Sequence, residues 1–176
     1  ASGANYVSKF KVGGSFGDIY GTVLQKDAQG RVMIDDKGSP IKQGGDNVYL
    51  GNANPKWQMG WNNNLSYDNF TLSFLIDGKF GGQVMSVTQS VMDQYGVSKA
   101  SGDARDAGGV VVNGVDPAGH AVSTVDAQKW YTTIGGREAV SGEYMYSATT
   151  VRLRELALGY TIPVKNNVIK ALRVSL

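Results

Sequence analysis

From Trp57 to Tyr67 nearly every second side chain is bulky and apolar, and after two residues the pattern restarts from Phe70 to Phe80. Alternation of this kind fits a strand, whose side chains point to opposite faces in turn; a helix would scatter them around its axis. Trp57, Met59, Trp61, Leu65 and Tyr67 share one face, against Gln58, Gly60, Asn62, Asn64 and Ser66 on the other, with Asn63 out of pattern. Phe70, Leu72, Phe74, Ile76 and Phe80 oppose Thr71, Ser73, Asp77 and Lys79 in the same way, and Leu75 is the misfit. Asp68-Asn69 lies between the runs, and both residue types tolerate left-handed backbone, so the reading is an antiparallel hairpin over 57–67 and 70–80.

Two further runs near the end have the same character. Leu156, Leu158, Tyr160 and Ile162 alternate with Glu155, Ala157, Gly159 and Thr161 in a strand over 152–163 that Pro163 stops, and another runs over 168–176. A strand over 6–12 completes the set. Between them lie two long connections, 13–55 and 81–150, too long for ordinary structureless loops. With 24 Gly and no Cys, the chain favours turns over long helices and has no thiolate chemistry. Its 17 basic and 15 acidic residues are dispersed, so nucleic acid is a poor partner. The C-terminal residues break off inside an alternating pattern, which suggests a fragment.

Strands of about eleven residues, rising ~3.3 Å each and tilted ~45°, cover roughly 25 Å, the height of the apolar band of an outer-membrane barrel. The outward set is therefore read as lipid-facing: Trp57, Met59, Trp61, Phe70, Leu72, Phe74, Ile76, Leu156, Leu158 and Tyr160. The polar set suits a watery lumen. Short turns alternating with long connections match periplasmic turns and outer loops. Arg152 and Arg154 fall in phase with the lipid-facing residues, at the outer end where headgroups would meet them.

Four blocks carry a family resemblance: Gly17-Asp-Ile-Tyr-Gly21, Leu50-Gly-Asn-Ala-Asn-Pro-Lys-Trp57, Leu75-Ile-Asp-Gly-Lys-Phe-Gly-Gly82 and Val151-Arg-Leu-Arg-Glu-Leu-Ala-Leu-Gly-Tyr-Thr-Ile-Pro163. Together they resemble the C-terminal part of SusC/RagA-type TonB-linked outer-membrane transporters of the Bacteroidetes. The resemblance implies an all-β fold: antiparallel strands from the C-terminal part of a 22-stranded transmembrane barrel, with two long extracellular loops. It also implies a TonB-dependent receptor in the bacterial outer membrane that imports glycans or peptides. Its partners would be a SusD-like surface lipoprotein, the TonB complex, membrane lipid and the oligosaccharide or peptide itself. The chain departs from the family in lacking the TonB box, the plug and the closing strands. An isolated piece would expose two sheet edges and an apolar stripe, which invites association in water.

Trp130, Tyr131, Tyr144 and Tyr146 are the candidate substrate- or partner-binding residues, since aromatic faces stack on sugars and anchor interfaces; packing of a loop is the competing reading. Gly13-Gly14-Ser15-Phe16-Gly17 lacks the Lys-Ser/Thr of a phosphate loop and reads as turn glycines. Asp27, Asp35 and Asp36 lack calcium-loop spacing, and His120 has no apparent catalytic partner. Glu155 beside Arg152 and Arg154 reads as a rim charge network rather than an acid–base pair. The expectation is no catalysis, no metal and no cofactor. Two alternatives remain: a soluble β-rich carbohydrate-binding module, disfavoured by long aromatic strands, and an outer-membrane barrel enzyme, disfavoured by the missing nucleophile cluster.

Overall fold

The computed structural model describes residues 6–164 and 172–176, apart from the side chains of 45–47. The chain divides into two compact units, one of residues 1–54 and 83–147 and the other of residues 55–82 and 148–176.

The first unit is mixed. Its strands are β1 (Tyr6–Ser8), β2 (Asp18–Leu24), β3 (Val32–Met33) and β4 (Lys42–Asn52). The second unit holds β5 (Trp57–Tyr67) and β6 (Phe70–Phe80). The chain then returns to the first unit for β7 (Gln83–Met85), α1 (Val87–Gln94), α2 (Lys99–Asp106), β8 (Val110–Val115), β9 (Ala121–Val125), α3 (Ala127–Ile134) and β10 (Met145–Ser147). Finally β11 (Thr150–Ile162) and β12 (Leu172–Ser175) complete the second unit.

In the mixed unit β1, β2 and β4 form one antiparallel sheet, β3, β8 and β9 a second, and β7 and β10 a ladder of two. Within the second sheet β3 and β8 run parallel, Val32 opposite Gly114. Three turns share one design. Asp27, Asp35 and Asp116 each accept, at Oδ1, the backbone N–H four residues on, at 2.8, 2.7 and 2.8 Å. The glycine three residues on (Gly30, Gly38, Gly119) takes φ of 80°, 76° and 89°, which a side chain would resist. Helices start where a side chain caps them: Ser86 accepts from Gln89 N, Ser98 from Ser101 N and Asp126 from Lys129 N. Leu24, Ile34, Val125, Trp130, Ile134, Ala139, Val140 and Tyr144 make the core. A buried polar knot ties β2 to the segment after α3: Thr22 Oγ1 donates to Ala139 O at 2.8 Å and accepts from Ser141 N at 3.0 Å. Gly135 admits a close approach of α1 and α3, for a Cβ there would sit 2.8 Å from Ser90 O.

The second unit is a four-stranded antiparallel sheet in the order β12-β11-β6-β5. Tyr67 pairs with Phe70 across the Asp68-Asn69 turn, where Asp68 takes a φ of 50°. Asn63 stands opposite Phe74 and Asn62 opposite Leu75, so both misfits are genuine face exceptions within a regular ladder.

Several expectations need correction. The long connections 13–55 and 81–150 are not loops; they fold, with a core, three eight-residue helices and a parallel strand pair, so the chain, mostly strand with few helices and consistent with an all-β fold, is not antiparallel throughout. The strand expected over 6–12 ends at Ser8, because Gly13 at φ 79° and Gly14, whose N–H donates to Lys11 O, turn the chain away from the ladder. The strand expected over 152–163 runs from Thr150 to Ile162. Of the strand expected over 168–176, Leu172–Ser175 is observed, and 168–171 lie outside the described residues. Among the described residues the strands close no barrel.

Candidate functional site

The register of the sheet unit gathers its apolar side chains on one face. Trp57, Met59, Trp61, Leu65 and Tyr67 on β5 stand opposite Phe80, Gly78, Ile76, Leu72 and Phe70 on β6. On β11, Leu153 stands opposite Ile76, Leu156 opposite Phe74, Leu158 opposite Leu72 and Tyr160 opposite Phe70. Val174 and Leu172 on β12 extend the face opposite Tyr160 and Ile162. Trp57, Met59, Trp61, Leu65, Tyr67, Phe70, Leu156, Leu158 and Val174 are all exposed, whereas Leu72, Phe74 and Ile76 on the central strand are half-buried by their neighbours. A face this large and this apolar does not persist bare in water.

Aromatic rings concentrate at the two ends of the face. Trp57 stacks on Phe80 at 3.9 Å between centroids at one end, and at the other Phe70 meets Tyr160 at 4.7 Å beside Tyr67. Between them Trp61 sets its edge against Phe74 at 5.3 Å.

The opposite face is polar: Gln58, Asn62, Asn64 and Ser66 on β5, Thr71, Ser73, Asp77 and Lys79 on β6, and Arg152, Glu155 and Thr161 on β11. Arg152 Nη2 binds Asp77 Oδ2 at 3.2 Å, and Arg173 Nη2 donates to Thr71 Oγ1 at 2.8 Å. The placement of Arg152 corrects the sequence reading, which set it in phase with the apolar residues. A β-bulge between Leu153 and Glu155 inserts one residue into β11, so the parity reverses there. Val151 and Leu153 thereby join Leu156 on the apolar face, and Arg152 faces Asp77.

The four aromatic candidates of the first unit separate. Trp130, 8% exposed, and Tyr144, 2% exposed, are core residues, not binding surface. Tyr144 Oη donates to Asp93 Oδ2 at 2.9 Å, and Gln89 Nε2 donates to Asp93 Oδ1 at 2.8 Å, so this buried carboxylate is satisfied at both oxygens. Burial, followed by the hydrogen bond to Asp93 and its charge, pushes the Tyr144 phenol well above its ordinary range. Tyr131 is half-buried at the edge of a cleft, and Tyr146 is exposed on β10, opposite Val84. These two alone remain available to a ligand or partner. The alternation could not reveal the split; the spacing of Ala127, Trp130 and Ile134, all buried on one side of α3, was the signal for it.

The remaining polar candidates are turn and loop residues. Asp27 accepts from Gln29 N, Arg31 N and Arg31 Nε, and Asp35 from Lys37 N and Ser39 N. His120 Nδ1 lies 3.0 Å from Asp116 Oδ2. Among the described residues no three His, Asp or Glu side chains converge on a metal position.

The four sequence blocks are joined in pairs. Asn52 Nδ2 donates to Asp18 Oδ1 at 2.7 Å, linking the first two blocks, and Asp77–Arg152 links the last two. Asn52 and Asn54 also donate from Nδ2 to Phe16 O, fixing the turn that precedes β2.

What the geometry defines is a two-faced antiparallel sheet, apolar with aromatic ends on one side and charged on the other. No family model matches the chain. It is 25% identical, over 152 residues, to TonB-dependent receptor P3 of Formosa agariphila, an alignment that covers 86% of this chain and 14% of that protein. The chain thus spans about a seventh of the length of this relative.

Proposed function

We propose that this chain forms part of the wall of a TonB-dependent outer-membrane transporter of the SusC/RagA type. The observation that carries the reading is the register-aligned apolar face with aromatic rings at both strand ends, which matches a hydrocarbon band bounded by two interfacial girdles. Its lipid-facing residues are Trp57, Met59, Trp61, Phe70, Leu72, Phe74, Ile76, Leu156, Leu158 and Tyr160, while the Asp77–Arg152 side faces a wet lumen. The similarity to TonB-dependent receptor P3 supports transport over catalysis. The cargo is a glycan or a peptide, captured with a SusD-like lipoprotein and drawn in by TonB-driven movement of a plug.

The Asp68-Asn69 turn faces the periplasm. The other ends of β6 and β11, where Lys79 stands opposite Thr150, face outward. A soluble carbohydrate-binding module would have to cover the apolar face in its own core, and Trp57, Trp61, Leu65 and Leu158 are all exposed. Fractionation of cells that make the intact protein tests the proposal. It is expected in the outer membrane, resisting extraction by mild detergent, with a surface lipoprotein co-purifying. Recovery in the soluble fraction would overturn it.

A further inference from the structure

The turn that joins β1 to β2 carries apolar side chains where turns ordinarily carry polar ones. Phe10 is 76% exposed and Phe16 74%, Val12 is wholly exposed, and the two rings meet at 5.4 Å between centroids. Their contact leaves most of both rings in water. The backbone beneath is clamped. Gly14 N donates to Lys11 O at 2.9 Å and Ser15 N to Asp18 Oδ2 at 2.9 Å, while the Asn52 and Asn54 side-chain amides both donate to Phe16 O, at 3.2 and 2.6 Å. Gly17, at φ 93°, admits this grip, for a Cβ there would sit 2.6 Å from Asn54 Nδ2. A turn held in this way presents its side chains already ordered, which removes part of the entropic cost of association.

Charge and size choose the occupant. Lys9 and Lys11 flank Phe10, with Lys11 Nζ 4.2 Å from the centre of the Tyr20 ring, and residues 9–17 contain no acid. Asp18 is turned inward, 6% exposed, with Oδ2 on Ser15 N and Oδ1 on Asn52 Nδ2. The tip is therefore cationic and aromatic, and its complement is anionic at the surface and oily beneath. Three side chains on one turn cover far less than the ~800 Å² that each side of a stable protein interface buries. A lipid layer needs no matching pocket: the rings and the valine sink below the headgroups while the ammonium groups stay among the phosphates.

We propose that the turn bearing Phe10, Val12 and Phe16 is a membrane-surface anchor, its apolar tip inserted below the headgroups of an anionic bilayer with Lys9 and Lys11 at the level of the phosphates. It is a lipid contact of the first unit, separate from the sheet face and independent of any cargo.

The test is a Val12→Cys variant of the full chain carrying an environment-sensitive NBD group, reconstituted in phosphatidylcholine vesicles with and without phosphatidylglycerol, and probed with lipids that bear a nitroxide just below the headgroup. In anionic vesicles the label should shift to the blue and be quenched, less so in neutral ones, whereas the same label at Ala118→Cys, on an exposed turn of the same unit, should stay in water. Phe10→Ser and Phe16→Ser should each move the ratio of inserted to free tip about tenfold toward water. Both rings are exposed, so circular dichroism should show both variants folded. The proposal is overturned if the label at 12 is not quenched, if 12 and 118 are quenched alike, if neutral and anionic vesicles give the same quenching, or if both serine variants behave as the parent. A blue shift without quenching would place the tip in a protein pocket, and one that fades as the protein is diluted in the bilayer would place it against a second copy; either result also overturns the anchor. Labels at 65 and 158 separate this inference from the transporter reading: quenching there but not at 12 refutes the anchor alone, and quenching at 12 but not there refutes the barrel wall alone.

Discussion

Replacing Phe74 with Arg places a guanidinium close to the middle of β6, since Phe74 is within one residue of the centre of the strand that spans Phe70–Phe80. Phe74 stands on the apolar face opposite Asn63 and Leu156. If that face meets hydrocarbon, an Arg at such depth costs about 2–4 kcal/mol. Loss of the edge contact with Trp61 adds about 0.5–1.5 kcal/mol. Together these shift the folding equilibrium by roughly a hundredfold or more, because about 1.4 kcal/mol is a factor of ten. Ser73, one residue away, lies on the polar face opposite Asn64 and Ala157, where an Arg reaches water and costs within about 0.5 kcal/mol. The assay is urea-dependent folding of the intact protein into lipid vesicles, followed by the gel-mobility change on heating that marks folded barrels. Phe74→Arg should fold poorly and Ser73→Arg nearly normally. Equal tolerance, or the reverse order, would refute the assignment of faces.

Other outcomes follow from the first unit. Trp130→Ala should destabilise it by about 3–5 kcal/mol, read by hydrogen exchange of the α3 and β9 amides, whereas a surface role for this ring would leave exchange unchanged. Tyr144→Phe leaves one Asp93 oxygen without its buried donor and should cost about 1–3 kcal/mol in the same measurement; no change would mean the pair is not buried. Gly135→Ala forces a Cβ against backbone atoms of α1 and should cost about 1–3 kcal/mol, seen as a lower Tm. The side-chain and then the backbone hydrogen bond from His120 hold the Asp116 carboxyl below its ordinary value of 3.8. A depressed folded-state value contributes stability that is present above about pH 4 and is lost as pH falls through that lower value, so the Asp116 carboxylate carbon resonance should titrate with its midpoint below 3.8. A carboxylate midpoint at or above 3.8 would contradict this.

Legibility followed the physics that writes the pattern. The β5–β6 hairpin reads directly because a two-residue turn fixes register and each run keeps a period of two without slippage. The β11 face was only half legible. A bulge inserts a residue without any marker of composition, so counting by twos put Arg152 on the wrong side until the ladder placed it against Asp77. Residues 81–150 looked like loop because their helices span only eight residues each, too short for a sustained period. Their starts were nonetheless written in Ser86, Ser98 and Asp126, each three residues before the amide it caps. Tyr144 escaped for another reason. Its burial depends on Asp93, 51 positions earlier in the chain, and a pairing at that separation leaves no local trace.

The chain has no cysteine of its own, which makes site-directed spin labelling the most direct test of the two-faced sheet. Single labels at positions 65, 72 and 158 and at 64, 73 and 157, in the intact protein reconstituted in bilayers, would be probed for collision with oxygen, which concentrates in lipid, and with a water-soluble nickel chelate. The first set should favour oxygen and the second the nickel chelate, alternating residue by residue. Equal access of nickel to both sets, or shielding of the first set from both reagents, would contradict a sheet that holds its apolar face in the membrane.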